Sequence, residues 1–151
     1  MVVKDIMSHT VKTATTSTLI KDIASLMCLD KISGVPVIDD NGELTGILSE
    51  KDILQAMFPD VAQIMENGLK QDYESIESDY KDVLYKSAGE LMTQAVASVT
   101  PNMPLLKAVS MMCVKNIRRI PVTNEENKLI GIISIGDVHK AIFQESLLKV
   151  H

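Results

Sequence analysis

Aromatic side chains are scarce: they make up 3% of the sequence, with two phenylalanines, three tyrosines and no tryptophan. A core must therefore be aliphatic and methionine-rich, and nine methionines within a hydrophobic fraction of 46% can supply it. Positive charge is not in excess. Fifteen Lys and Arg stand against twenty Asp and Glu, for a net charge of −5, which argues against nucleic acid, because a phosphate backbone calls for a basic face. No apolar run approaches the ~20 residues of a membrane span, and no apolar stretch follows Met1-Val2-Val3-Lys4-Asp5 to make a signal peptide. Only two cysteines occur, Cys28 and Cys113. Both fall in apolar helical patterns, so buried core thiols in a reducing cytoplasm are expected. His9, His139 and His151 form no ligand-spaced cluster with them, so no metal site is expected. No nucleophile–base arrangement or glycine-rich phosphate loop stands out, so no catalytic residue is assigned and the chain does not read as an enzyme. At 151 residues there is room for one domain, or for two small ones packed closely.

What is present is a repeat. Gly46-Ile47-Leu48-Ser49-Glu50-Lys51-Asp52 returns as Gly131-Ile132-Ile133-Ser134-Ile135-Gly136-Asp137. The offset of 85 holds without a gap from residues 6–58 to 91–143, and 16 of those 53 aligned positions are identical. Unrelated chains of ordinary composition match at roughly one position in sixteen, so this is an internal duplication.

Each copy reads as strand, helix, strand, strand, helix. In the first, residues 11–14 are a short strand, and Thr18 caps a helix whose face is Ile20, Ile23, Ala24, Met27 and Cys28. Val35–Ile38 and Leu44–Leu48 then form a hairpin about Asn41-Gly42, with Pro36 expected at a strand start or edge. Ser49 caps a helix that Pro59 stops. In the second, Asn102 is the expected cap, with Pro104 in the first turn. The two copies span 1–58 and 87–151. Between them, residues 59–86 carry a stripe of Leu69, Tyr73, Ile76, Tyr80 and Val83, which predicts an inserted helix, packed on its own protein or presented to a partner. The fold class is α+β: two β-α-β-β-α repeats, each with a sheet face that the other copy can cover.

The stretches Val35-Pro36-Val37 with Gly46 to Asp52, and Ile120-Pro121-Val122 with Gly131 to Asp137, resemble the CBS domain, named after cystathionine β-synthase. The resemblance covers nearly the whole chain outside the inserted helix. It implies a pseudo-two-fold pair of repeats, commonly assembled as a homodimer. It also implies a regulatory role, with AMP, ADP, ATP or S-adenosylmethionine bound in the clefts between repeats.

The residues suit such a ligand. A fixed carboxylate can accept both ribose hydroxyls, which nominates Asp52 and Asp137. The hydroxyls of Ser49 and Ser134, at helix starts, favour phosphate. The strand ends at Val35 and Ile120 can hold an adenine. Arg118 and Arg119, with Lys115 nearby, replace Ser33-Gly34 and mark the second copy as the phosphate-bearing site; Lys51 gives charge to the first. Ser-x-x-Asp is also a helix capping box, in which the same groups satisfy only their own backbone. Two functions follow. One is a sensor that binds an adenosyl compound and signals an unidentified protein partner through altered packing. The other is a constitutive dimerisation scaffold with vestigial clefts.

Overall fold

The computed structural model describes residues 1–58, 73–94 and 96–149. A 3-10 turn at Val3–Asp5 precedes α1 (Ile20–Asp30), β1 (Gly34–Ile38), β2 (Leu44–Ser49) and α2 (Glu50–Gln55). Then come α3 (Tyr73–Ser78), α4 (Tyr80–Val83), α5 (Ala88–Leu91), α6 (Leu105–Lys115), β3 (Arg119–Thr123), β4 (Leu129–Ser134) and α7 (Ile135–Lys149). The strands make two two-stranded sheets, β1 with β2 and β3 with β4. Residues 11–14 and 96–99 do not form strands. Each contributes one parallel bridge, Ala14 to Val37 and Val99 to Val122. Pro36 and Pro121 lie mid-strand and buried, but on edge strands, one of the two expected placements. Among the described residues each sheet has two strands, so a proline interrupts no second ladder.

The duplication survives in the backbone. Lys31 and Asn116, 85 residues apart, end α1 and α6 at φ 54°, and Gly42 and Asn127 turn the two hairpins at φ 80° and 61°. Both pairs differ in residue type and agree in conformation. Asn127 offsets its cost by donating from Nδ2 to the Leu44 carbonyl at 3.1 Å. Lys31 is exposed, and a left-handed conformation costs a non-glycine residue roughly 1–2 kcal/mol. Lys31→Gly should therefore stabilise the protein by about 0.5–1 kcal/mol, seen as a raised urea midpoint; a lowered midpoint would mean that the lysine side chain holds the turn.

Two compact units emerge, and each takes chain from both sequence copies. One comprises Met1–Lys12, Asp40–Leu44 and Val96–His151, and the other Thr13–Asp39 and Thr45–Ala95. In the first unit, Val3 is fully buried with Val99, Leu105, Met112, Ile120, Val122 and Ile133. In the second, Val83 and Ala88 join Ile20, Ile23, Met27, Val35, Val37 and Leu48. The leader of each copy is thus core material for the unit that holds the other copy's hairpin.

This exchange corrects the predicted caps. Thr18 and Asn102 do not cap α1 and α6; the positions before the helices are Leu19 and Pro104, and neither makes a side-chain cap bond. Backbone from elsewhere satisfies the first N–H groups. Ile20 N donates to Lys86 O at 2.8 Å and Lys21 N to Leu84 O at 2.9 Å, while Leu105 N donates to Met1 O at 3.1 Å. Helix starts need partners for their N–H groups, and here those partners lie tens of residues away in sequence.

The thiols are a second correction. Cys28 and Cys113 are free and exposed. The buried stripe of α1 runs Ile20, Ile23, Met27, and Cys28 sits one residue, about 100° of helix, beyond it. The inserted segment is partly as expected. Ile76 and Val83 are buried and Tyr80 is half-buried, but Tyr73 is exposed and the helix breaks at Asp79. Leu69 lies outside the described residues.

Candidate functional site

In the first unit the candidate residues converge through strand register. Arg119 pairs with Ser134 and Ile120 with Ile133 across the antiparallel β3–β4 ladder. Ile135 N, at the start of α7, donates to Arg118 O at 2.9 Å. The two arginines are therefore stitched by main chain to the start of α7, where Ser134 and Asp137 lie. Asp137 N donates to Ser134 Oγ at 3.1 Å, so Ser134 keeps its hydroxyl proton for another acceptor. Among the described residues, and outside its own helix backbone and chain neighbours, a Cβ placed on Gly136 would have only that Oγ within 4 Å, at 3.9 Å. Among the described residues, Lys115, Arg118, Arg119 and the Asp137 carboxylate have no hydrogen-bonding or ion-pair partner for their charged groups.

The second unit repeats the scaffold with different chemistry. Glu50 N donates to Ser33 O at 3.0 Å, the counterpart of the Ile135–Arg118 bond. Where Arg119 stands in the other unit, Gly34 leaves space, its nearest neighbour to an added Cβ being Leu48 O at 3.8 Å. Ser49 and Asp52 complete a reciprocal capping box. Asp52 N donates to Ser49 Oγ at 3.2 Å, and Ser49 N donates to Asp52 Oδ2 at 2.9 Å. Lys51 is exposed beside them.

Val35 and Ile120 are placed otherwise than a ligand contact by side chain would need. Both are fully buried in the apolar cores, and the main chain of Ile120 pairs with Ile133 in the β3–β4 ladder. A residue not singled out from the sequence is Thr93. Its backbone pairs with Ile47 in both directions, at 3.0 and 2.9 Å, and its hydroxyl donates to Asp52 Oδ1 at 3.4 Å. Its counterpart 85 positions earlier, Ser8, pairs with Ile132 in the same way, while its own hydroxyl turns to Thr10 O at 3.5 Å. The repeat alignment puts Ser8 and Thr93 in equivalent positions, which was the available signal.

Two segments, residues 3–59 and 88–144, match the CBS domain. The chain belongs to the CBS domain family. Among its relatives, the uncharacterised protein MJ1426 of Methanocaldococcus jannaschii is 34% identical, over 94% of this chain and 91% of that protein. The chloroplastic CBS domain-containing protein CBSX2 of Arabidopsis thaliana is 30% identical over 85% of this chain, and the match spans 57% of CBSX2's own length. The crystal structure of CBSX2 in complex with AMP superposes with a TM-score of 0.74 at 29% identity, covering 96% of this chain and 98% of that one. The mixed helix-and-strand architecture with small two-stranded sheets is thus that of a CBS pair. Among the described residues no group of His, Cys, Asp and Glu could hold a metal ion, and no helix is long and apolar enough to cross a membrane.

Proposed function

We propose that this CBS pair is a regulatory sensor of adenosine nucleotides. The observation that carries the reading is the β3–α7 junction: two arginines, stitched to a helix start beside the Ser134 hydroxyl, with the Asp137 carboxylate unpartnered among the described residues. A nucleotide needs an acceptor for its ribose hydroxyls and donors for its phosphate. Asp137 serves as the first, and Arg118, Arg119, Ser134 and Lys115 as the second. Asp52, Ser49 and Lys51 form the corresponding set in the other unit. The AMP-bound CBSX2 structure supports the ligand class. The arginines favour phosphate-bearing ligands over S-adenosylmethionine, which offers no phosphate.

Signalling requires that ligand bind one packing state better than another, because equal affinity shifts nothing. A downstream protein would read that change; the chain regulates and does not itself catalyse. Exposed free thiols are at home in a reducing compartment, which supports a cytoplasmic location. Ligand at about 100 times its Kd stabilises by roughly 2.7 kcal/mol, or roughly 5–11 °C in melting temperature for a domain of this size. AMP, ADP or ATP should produce that rise and a guanosine nucleotide should not. The Asp52→Ala/Asp137→Ala double variant should lose it. An unchanged melting temperature with every adenosyl compound, on nucleotide-free protein, overturns the reading.

A second reading, a dimerisation scaffold, is favoured by exposed apolar side chains on two helices. Leu106 and Val114 of α6 and Phe143, Leu147 and Leu148 of α7 are each more than half exposed. Leu106 also lines a cavity of about 380 Å³ with Met1, Pro104, Ile142 and Ser146 among others. A homodimer built on these helices is compatible with the sensor, whereas a scaffold would dimerise without responding to nucleotide.

A further inference from the structure

The two carboxylates that define the proposed ligand sets are in different states. Asp52 is already occupied. Oδ2 accepts the Ser49 N–H at 2.9 Å, Oδ1 accepts the Thr93 hydroxyl at 3.4 Å, and the residue is half-buried. Asp137 is exposed, and its carboxylate accepts no hydrogen bond from the described residues. The difference traces to named residues. The strap residue over β2 is Thr93, whose hydroxyl reaches the carboxylate, whereas the strap residue over β4 is Ser8, whose hydroxyl folds back on Thr10. At the helix starts, Ser49 N–H is taken up by Asp52, but no Ser134 N–H bond to the Asp137 carboxylate forms.

We infer that the chain takes up one nucleotide before the other, at the Asp137 carboxylate, and that Asp52 is held in reserve by an internal mimic of a ribose. The Thr93 hydroxyl and the Ser49 N–H occupy one carboxylate oxygen each, as two ribose hydroxyls would. A ribose at Asp52 must displace them, and breaking a satisfied hydrogen bond cancels most of the gain from making its replacement. At Asp137 the ribose displaces only water. The charge distribution runs the same way, because Arg118 and Arg119 accompany Asp137 while Ser33 and Gly34 accompany Asp52. This inference rests on the nucleotide reading and adds an order of filling to it. Thr93 is then a positioning residue, acting on ligand through Asp52.

Calorimetric titration of the full chain with AMP tests it. The wild type should show one tight event per chain, with any second event weaker by about tenfold or more. Asp137→Asn should weaken the tight event by roughly 10–100-fold, the loss expected when a charge-assisted acceptor becomes neutral. Thr93→Val, which keeps the strap's shape and removes its hydroxyl, should tighten the second event by roughly 2–10-fold and move the first by less than twofold. Melting curves on each variant report folding separately. Two equal sites in the wild type, or an Asp137→Asn variant that keeps the tight event, overturns the order of filling and leaves the sensor reading standing. No AMP binding by the wild type overturns both.

Discussion

Deleting residues 1–8 should unfold the unit that contains β3 and β4, although those residues belong to the other sequence copy. Among the described residues the segment makes five backbone hydrogen bonds to that unit's distant chain. Leu105 N donates to Met1 O (3.1 Å), Val3 N to Met103 O (3.0 Å) and Lys4 N to Pro101 O (2.9 Å). Ser8 and Ile132 exchange two more, at 2.9 and 3.0 Å. At about 1 kcal/mol each these contribute roughly 5 kcal/mol. Burying Val3 completely contributes roughly 1.5–3 kcal/mol more. A whole domain is stable by only about 5–15 kcal/mol, so the loss is comparable to the total. Hydrogen exchange is the direct measurement. Amides of residues 119–134 should lose most of their protection in the truncated chain and keep it in the full one. Protection within tenfold of the full chain would show that the leader is an accessory. The same logic predicts that residues 87–151, the second sequence copy by itself, do not fold.

That exchange marks the limit of what could be read in the sequence. The repeat, both hairpins, the turn at Gly42, the Ser49 cap and the Ile20, Ile23 and Met27 stripe were legible, because each is written in residues within a few positions of one another. Register then carried the candidate site: once β3 and β4 pair, Arg119 must lie opposite Ser134. Features set at long range were not legible. The caps of α1 and α6 come from the carbonyls of Lys86 and Met1, so no local pattern at Thr18 or Asn102 could reveal them. Cys28 looked like core because it follows Met27 in an apolar run, but a helical stripe is narrower than the run that contains it. Val35 and Ile120 lie at strand ends, yet both point into cores completed by the other copy's leader. Thr93 carried no motif, and its bearing on Asp52 follows only from its pairing with Ile47.

Gly131→Ala should cost about 1–3 kcal/mol, the usual penalty of overpacking, even though it adds one methyl group to a β-strand. An added Cβ would sit 2.9 Å from Met7 Sδ and 2.9 Å from Ser8 O. The thioether can swing aside, but the carbonyl cannot, because Ser8 is held by its two bonds to Ile132. At Gly46 the distances are 2.6 Å to Met92 Sδ and 2.9 Å to Thr93 O, and Gly46→Ala should behave alike. A loss of 2 kcal/mol lowers the melting temperature by roughly 4–8 °C at this size. Combining Gly131→Ala with Met7→Ala separates the two contacts: if the carbonyl is the obstacle, removing the thioether restores little. A Gly131→Ala protein as stable as wild type would mean that the strap can lift off β4 freely. The glycine that opens the Gly-x-x-Ser-x-x-Asp run is therefore explained by a chain that crosses it. Met7 of the first copy lies on Gly131 of the second, and Met92 of the second on Gly46 of the first. Both partners of this contact, Met7/Met92 and Gly46/Gly131, are identical between the copies. The crossing also brings Ser8 and Thr93 to the strands that end in Ser134 and Ser49, so the residue that distinguishes the two carboxylates is delivered by the same strap that requires the glycine.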